Sequence, residues 1–286
     1  MRKSPLNPTS SPDDSWEMDQ QLLEGTTDSG DLCGAASPVE IARALDGVGG
    51  WLHLDEAALL YESVIRQPHR AGGLCVVEIG SWKGRSTIAL GLAARRRGDT
   101  EVIAIDPHLG DNGEFNEHAE TFGEFLANIE CASVDHVVRP VRAFAHDARP
   151  LIADSSVGVL FLDGSHRYED VSTDLHDWVP ALADGAILAC NDSSKPGVYR
   201  ALRETVLRRK APFFGATLVR STLFLEHRPD ATWRRADDVA WLKLRGVLLG
   251  RRLAHRVVRF LPGWAKRAGN AISERAVRNV PEELAA

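Results

Sequence analysis

Residues 76–87 read VVEIGSWKGRST, and the stretch changes character halfway along. An apolar run carrying a single acid, Glu78, ends at Gly80; a second glycine, Gly84, follows four residues later, and a helical pattern begins at Arg85. Two glycines bracketing a turn from strand into helix give the backbone unusual freedom and let another group approach it closely. That group is either a ligand or a packed neighbour, and the acid two residues before Gly80 favours the ligand.

The same rhythm repeats outward from this turn. Continuous apolar runs occur at LCVVEIG (74–80), EVIAIDP (101–107), HVVRPVRA (136–143), VGVLFLDG (157–164) and AILACND (186–192). Runs that do not alternate are the mark of strands buried on both faces. Helical patterns near 85–97, 117–129, 148–153, 170–182 and 198–209 separate them, so a mostly parallel sheet with helices on both faces is expected. FFGATLV (213–219) and TLFLEH (222–227) are then divided only by Arg220 and Ser221, which demands an antiparallel hairpin. Upstream, 38–45 and 55–66 read as helices, the second with Leu59, Leu60, Val64 and Ile65 on one face. The expected organisation is a disordered leader (1–36), an N-terminal helical cap (37–72), an α/β domain (73–228) and a basic helical extension (229–286).

The composition of the 286 residues, 44% hydrophobic and 26% charged, is that of a soluble globular protein. No run reaches the ~20 apolar residues of a membrane span, and MRKSPLNPTSSPDD lacks a signal peptide's apolar block, so a cytoplasmic location is expected. Cys33, Cys75, Cys131 and Cys190 show no C-x-x-C spacing, which speaks against a disulfide framework or a zinc site. Charge is unevenly placed. Residues 243–278 hold ten Lys or Arg against the single acid Glu274, a local +9 that leaves −15 on the rest of a chain of net −6. An acidic body with a basic tail is not a general nucleic-acid binder.

In open α/β sheets ligands bind beyond the carboxyl ends of the strands. The first end carries G-x-x-x-G rather than G-x-G-x-x-G, which disfavours a dinucleotide, and no Tyr-x-x-x-Lys pair supports a reductase. Asp106 ends the second strand, where an acid is suited to the two hydroxyls of a ribose, or alternatively to capping a turn. Asp163, in DGSH, and Asn191–Asp192 end the fourth and fifth. Their hard oxygen donors suit Mg2+ with positions left for substrate, although loops after strands use the same residues as caps. His166, three residues past Asp163, has the ordinary pKa of a general base near neutrality. His108 and Asp111 are further residues of the mouth, not separable from caps.

Taken together, VVEIGSWKGRST, AIDPH, FLDGSHRYEDVSTDL, AILACND and the final hairpin resemble the class I S-adenosylmethionine-dependent methyltransferases. More narrowly they resemble the metal-dependent sugar O-methyltransferases of macrolide biosynthesis, over about residues 51–228. The resemblance implies a Rossmann-like methyltransferase sheet. It implies that Gly80, Ser81 and Gly84 line the methionine part of the cofactor, with Ser86 in the same turn and Glu78 supporting it, and that Asp106 holds the ribose. It implies Mg2+ on Asp163, Asn191 and Asp192, with His166 as base, although these sugar enzymes usually carry two acids where this chain has Asn191–Asp192. For adenine, only His146 and Asp147 are polar in the segment after the third strand. The expected activity is methyl transfer to a hydroxyl of a sugar or glycosylated metabolite. A phenolic or catechol acceptor and a non-catalytic cofactor-binding module are the alternatives.

The extension is a separate matter. As a helix, 245–261 would place Leu249, Leu253, Val257, Phe260 and Leu261 on one stripe and Arg245, Arg251, Arg252, Arg256 and Arg259 on the other side. Such a helix can lie on an anionic membrane or meet a lipid-linked substrate; more commonly its apolar face packs on its own domain or on a sister subunit of a homo-oligomer.

Overall fold

The computed structural model describes residues 38–70, 73–110 and 120–259. The leader, Cys33, Asp111, most of the loop after the second strand, and everything from Phe260 onward lie outside the described residues.

Helices α1 (Pro38–Leu45) and α2 (Leu54–Ile65) precede a sheet whose elements follow as β1 (Cys75–Ile79), α3 (Arg85–Arg97), β2 (Val102–Ile105), α4 (Phe122–Cys131), β3 (Val138–Val141), α5 (Ala145–Ala148), β4 (Val157–Leu162), α6 (Tyr168–Trp178), β5 (Leu182–Cys190), α7 (Pro196–Glu204), β6 (Phe213–Val219), β7 (Thr222–His227) and α8 (Arg235–Arg259). The strands form one seven-stranded sheet in the order β3-β2-β1-β4-β5-β7-β6. The first five are parallel, and β7 pairs antiparallel with β5 and β6. This is the expected Rossmann-like methyltransferase sheet, and the hairpin divides at Arg220–Ser221 as read from the sequence.

Two apolar layers cover the sheet, because alternate residues of a strand face opposite ways. Val77, Ile79, Leu160, Leu162 and Leu188 pack with Leu175 and Trp178 of α6 and with Leu202 of α7. Val76, Ala104, Val159 and Phe161 pack with Leu60 and Val64 of α2, Ile88 of α3 and Phe125 of α4. Glu78 belongs by parity to the second layer and is completely buried there.

Several boundaries differ from the sequence reading. The third strand is cut to four residues, since 135–137 close a 3-10 turn. The expected helix at 148–153 begins earlier, at Ala145, and ends in another 3-10 turn with Pro150 inside it. The fifth strand extends back to Leu182, and the last helix starts ten residues before the expected 245.

Register aligns the functional end of the sheet. Ile79 pairs with Ile105 and Leu162, and Leu162 pairs with Cys190. The next residues, Gly80, Asp106, Asp163 and Asn191, therefore form one row across four strand tips, continued by Gly80 N–H to Ile105 O (2.9 Å), Asp163 N–H to Ile79 O (2.9 Å) and Asn191 N–H to Leu162 O (2.9 Å). At the middle of the row, between β1 and β4, the direction of strand addition reverses, which is where such sheets open a crevice.

Gly80 has φ +91°, and a Cβ there would lie 2.5 Å from the Asp163 carbonyl oxygen. The space that glycine leaves is taken by the neighbouring strand's backbone. Gly80→Ala is expected to lose about 3 kcal/mol or more of stability in urea unfolding, combining left-handed strain with a backbone overlap that cannot relax cheaply; a loss below about 1 kcal/mol would show that the two strand ends can separate.

Candidate active site

The turn after β1 is built around Asp106. Its carboxylate accepts hydrogen bonds from Trp82 N–H (2.8 Å) and His108 N–H (2.6 Å), so one side chain fixes both the glycine turn and the loop after β2. Trp82 takes φ +43°, and Trp51, from the α1–α2 connection, stacks on its ring at 4.7 Å. The connection between α1 and α2 thus covers this turn through Trp51. His108 is buried, hydrogen-bonded to Thr121 (3.0 Å) and flanked by Phe122 and Phe125, so it stiffens the loop. Burial pushes its pKa down, against the pull of Asp106.

Beneath the turn lie buried polar groups. Glu78 accepts a short hydrogen bond from Thr87 Oγ1 through Oε2, while its Oε1 and the hydroxyl of Ser81 are both buried without a protein partner. Burial raises the Glu78 carboxyl to about 7, against the lowering influence of the Ser86 and Thr87 hydroxyls. Buried polar atoms without partners are costly, and two of them together mark a place where an outside group completes the bonding.

The other half of the row is a charged cluster. Asp163 accepts from Asn191 Nδ2 (2.8 Å), and Asn191 Oδ1 in turn accepts from the hydroxyls of Ser221 (2.7 Å) and Thr222 (3.0 Å). Those hydroxyls also lie against the buried Glu56 carboxylate of α2, at 2.9 and 2.8 Å. Asp192, at φ +50°, turns away from this chain: its Oδ2 is 3.0 Å from His166 Nε2 and 2.8 Å from Lys195 Nζ. Lys195 Nζ also lies 3.2 and 3.3 Å from the two His166 ring nitrogens. The residue Asp163 is only partly covered, yet enclosure of its carboxyl, with Asp192 and Glu78 adding, raises it to about 8. For Asp192 burial acts upward, but the hydrogen bonds from His166 and Lys195 outweigh it and hold the carboxyl below its ordinary value.

The three residues of the expected magnesium trio are bonded to protein partners in this arrangement. Asn191 turns its NH2 to Asp163 and its oxygen to two hydroxyls, and Asp192 is taken by an ammonium and an imidazole. Among the described residues no cluster of three His, Cys, Asp or Glu side chains converges to hold a metal ion. Lys195 brings a positive charge to Asp192, one member of the trio. Lys195 gave no motif of its own; only its position at the entry to α7, beside Pro196, hints that it faces the strand ends. Gly197, also unremarked in sequence, lets the DGSH loop lie on α7: a Cβ there would be 2.2 Å from the His166 carbonyl oxygen. After β3 the exposed ring of Phe144 stacks on His146 (5.9 Å), an aromatic face that the polar-residue search at 143–147 passed over.

Comparison with known proteins agrees with this fold. Residues 77–193 match the family described as a methyltransferase domain. The cofactor-bound protein Rv0187 from MTB superposes with a TM-score of 0.52 at 16% identity, over 78% of this chain and all of that one. The O-methyltransferase NovP does so at 0.51 and 20% identity, over 61% and 80% of the two chains. TomG of Streptomyces achromogenes, an O-methyltransferase solved with S-adenosylmethionine, does so at 0.50 and 15% identity, over 74% and 96%. The chain thus shares its fold with these proteins, and its residues 77–193 are similar to the methyltransferase-domain family. An uncharacterized protein of Sinorhizobium fredii, y4gI, is 28% identical over 181 residues, 62% of this chain but only 19% of that protein's length.

Three carboxyls are held above their ordinary values: Glu78 near 7, Asp163 near 8 and, through burial on α6, Asp174 near 7. In the pH range between ordinary and raised values the folded protein keeps protons that the unfolded chain has released. Their contribution is therefore present at low pH and lost as pH rises through 7 to 8. Thermal melting without ligand should accordingly drop between about pH 5 and pH 8, and Glu78→Gln should remove about 3 kcal/mol of that loss; an unchanged slope in the variant would mean that Glu78 is ionised in the fold.

Proposed function

We propose that this domain transfers a methyl group from S-adenosylmethionine to a hydroxyl oxygen of a sugar or glycosylated small molecule, with His166 as base and without a divalent cation. The observation that carries the reading is the Asp192–His166–Lys195 cluster standing at the same edge of the sheet as a glycine turn with two unpartnered buried oxygens. The residues of that turn fit the cofactor. Glu78 Oε1 and Ser81 Oγ would bond its methionine part, the remaining lone pairs of Asp106 would meet the ribose, and Gly84 and Ser86 would complete the turn.

When bound, S-adenosylmethionine supplies a sulfonium methyl whose carbon–sulfur bond breaks as the acceptor oxygen bonds the carbon. His166 takes the hydroxyl proton onto its imidazole. Asp192, 3.0 Å from Nε2, orients the ring and stabilises the imidazolium that results. Lys195 keeps a fixed positive charge beside the oxygen as it loses its proton, the electrostatic service a metal ion gives where one is bound. Ser165 and Asp170, hydrogen-bonded to each other at 2.6 Å and both exposed, offer a polar rim suited to an acceptor with several hydroxyls.

Calorimetry with S-adenosylhomocysteine tests the cofactor half. The wild type should bind, and Asp106→Ala should bind at least about tenfold more weakly, since it loses both the ribose partner and the bond that holds Trp82. No binding by the folded wild type would remove the methyltransferase reading. For the chemistry, release of S-adenosylhomocysteine should be followed with glycosylated acceptors after EDTA treatment. Turnover should persist, and His166→Gln should reduce it by roughly 10²–10⁴ with cofactor binding intact; turnover abolished by EDTA and restored by Mg2+ would return the charge-stabilising role from Lys195 to a metal.

A further inference from the structure

Helix α8 has one face too many. Its inner face holds it firmly to the domain: Leu248 is fully buried, Leu244 packs on the core, Trp241 Nε1 donates to Leu207 O (2.6 Å) and Arg251 donates to the carbonyl of Arg220. Arg209 pairs with Asp238 at its start. The domain's demand for apolar cover is met by this face alone.

The outer face is apolar as well. Val239, Leu242, Leu249 and Leu253 are 48%, 61%, 45% and 51% exposed. Their spacing of three, seven and four places them within a sector of about 80° on a helical wheel, turned well away from Leu244 and Leu248. The expectation that the stripe holding Leu249 and Leu253 packs on its own domain is thus corrected: Leu244 and Leu248 take that place. Val257 is in the helix, but nothing is described of its side chain.

Charge decides what can cover this stripe. After Asp238 the helix has no acid, while Lys243, Arg245, Arg251, Arg252, Arg256 and Arg259 give it six basic residues. The stretch 243–278 as a whole carries +9, against −15 on the remainder. A second copy of the chain would bring two such helices face to face, like charge on like charge. Nucleic acid would neutralise the charge but has no use for a stripe of Leu and Val. A lipid surface with anionic headgroups satisfies both, burying the apolar stripe at the acyl boundary and pairing the bordering cations, while the acidic body faces away. Among the described residues no helix is long and apolar enough to cross a membrane, so contact would be in the plane of the surface.

We infer that α8 is a surface anchor that docks the domain on an anionic bilayer through Val239, Leu242, Leu249 and Leu253. This does not depend on the methyltransferase chemistry. The full chain should co-sediment with vesicles of phosphatidylcholine and phosphatidylglycerol, not with phosphatidylcholine alone, and high salt should release it. Leu249→Glu with Leu253→Glu, both at exposed positions, should weaken binding at least about tenfold. Lys243→Gln with Arg245→Gln should weaken it by roughly fivefold per charge. A circular-dichroism spectrum and thermal melt unchanged from the wild type in each variant report that the fold is intact. Failure of the wild type to bind, equal binding to neutral vesicles, or binding indifferent to both variants would overturn the anchor. So would a stable dimer that Leu249→Glu dissociates and that ignores vesicles, since the stripe would then be a subunit interface.

Discussion

The end of β1 lies so close to the end of β4 that only a residue without Cβ fits between them. Gly80 occupies that point, a Cβ there meeting the Asp163 carbonyl at 2.5 Å. Everything at the functional edge inherits its position from this approach. The two central strands are locked in register, their outer neighbours follow by hydrogen bonding, and the side chains of Asp106, Asp163 and Asn191 emerge at one level. The chain then turns at Ser81–Gly84 under the hold of Asp106 on Trp82.

Around this row, charge is sorted by burial. Glu78 and Asp163 are enclosed and their carboxyls rise toward neutral pH, whereas Asp192, equally near, stays ionised because His166 and Lys195 donate to it. A closely spaced set of acids is thereby divided into proton-holding members and one anion that orients an imidazole. The imidazole of His166 and the ammonium of Lys195 make the division possible. Asn191 separates the two kinds of carboxylate and passes the arrangement on, through Ser221 and Thr222, to Glu56 of α2.

How much of this was legible in the sequence depends on the range of the interaction. The glycine turn, the five apolar runs and the two-residue hairpin were readable because each is governed by contacts within a few residues. Glu78, Asp106, Asp163, His166 and Asp192 could be picked out because a polar residue ending an apolar run is a local anomaly. The direction in which Asn191 turns its amide was not readable, since it depends on hydroxyls thirty residues away. Lys195 was missed for the same reason: a lysine in a loop has no pattern until the fold places an aspartate and a histidine around it. Phe144 was missed because the search after the third strand looked for polar atoms rather than for an exposed ring.

Alone, then, the sequence determined the order of strands and helices, the mixed sheet, the polar character of its carboxyl edge and the basic, amphipathic character of the last helix. These follow from residue type and spacing, which a linear chain carries in full. Tertiary structure decided which side chains meet: that the room beside Gly80 belongs to β4, that Lys195 stands beside Asp192 and His166, and that Leu244 and Leu248, not Leu249 and Leu253, bind α8 to its domain. Those outcomes turn on a few ångströms and on the direction of single bonds, quantities fixed only when distant segments pack against one another.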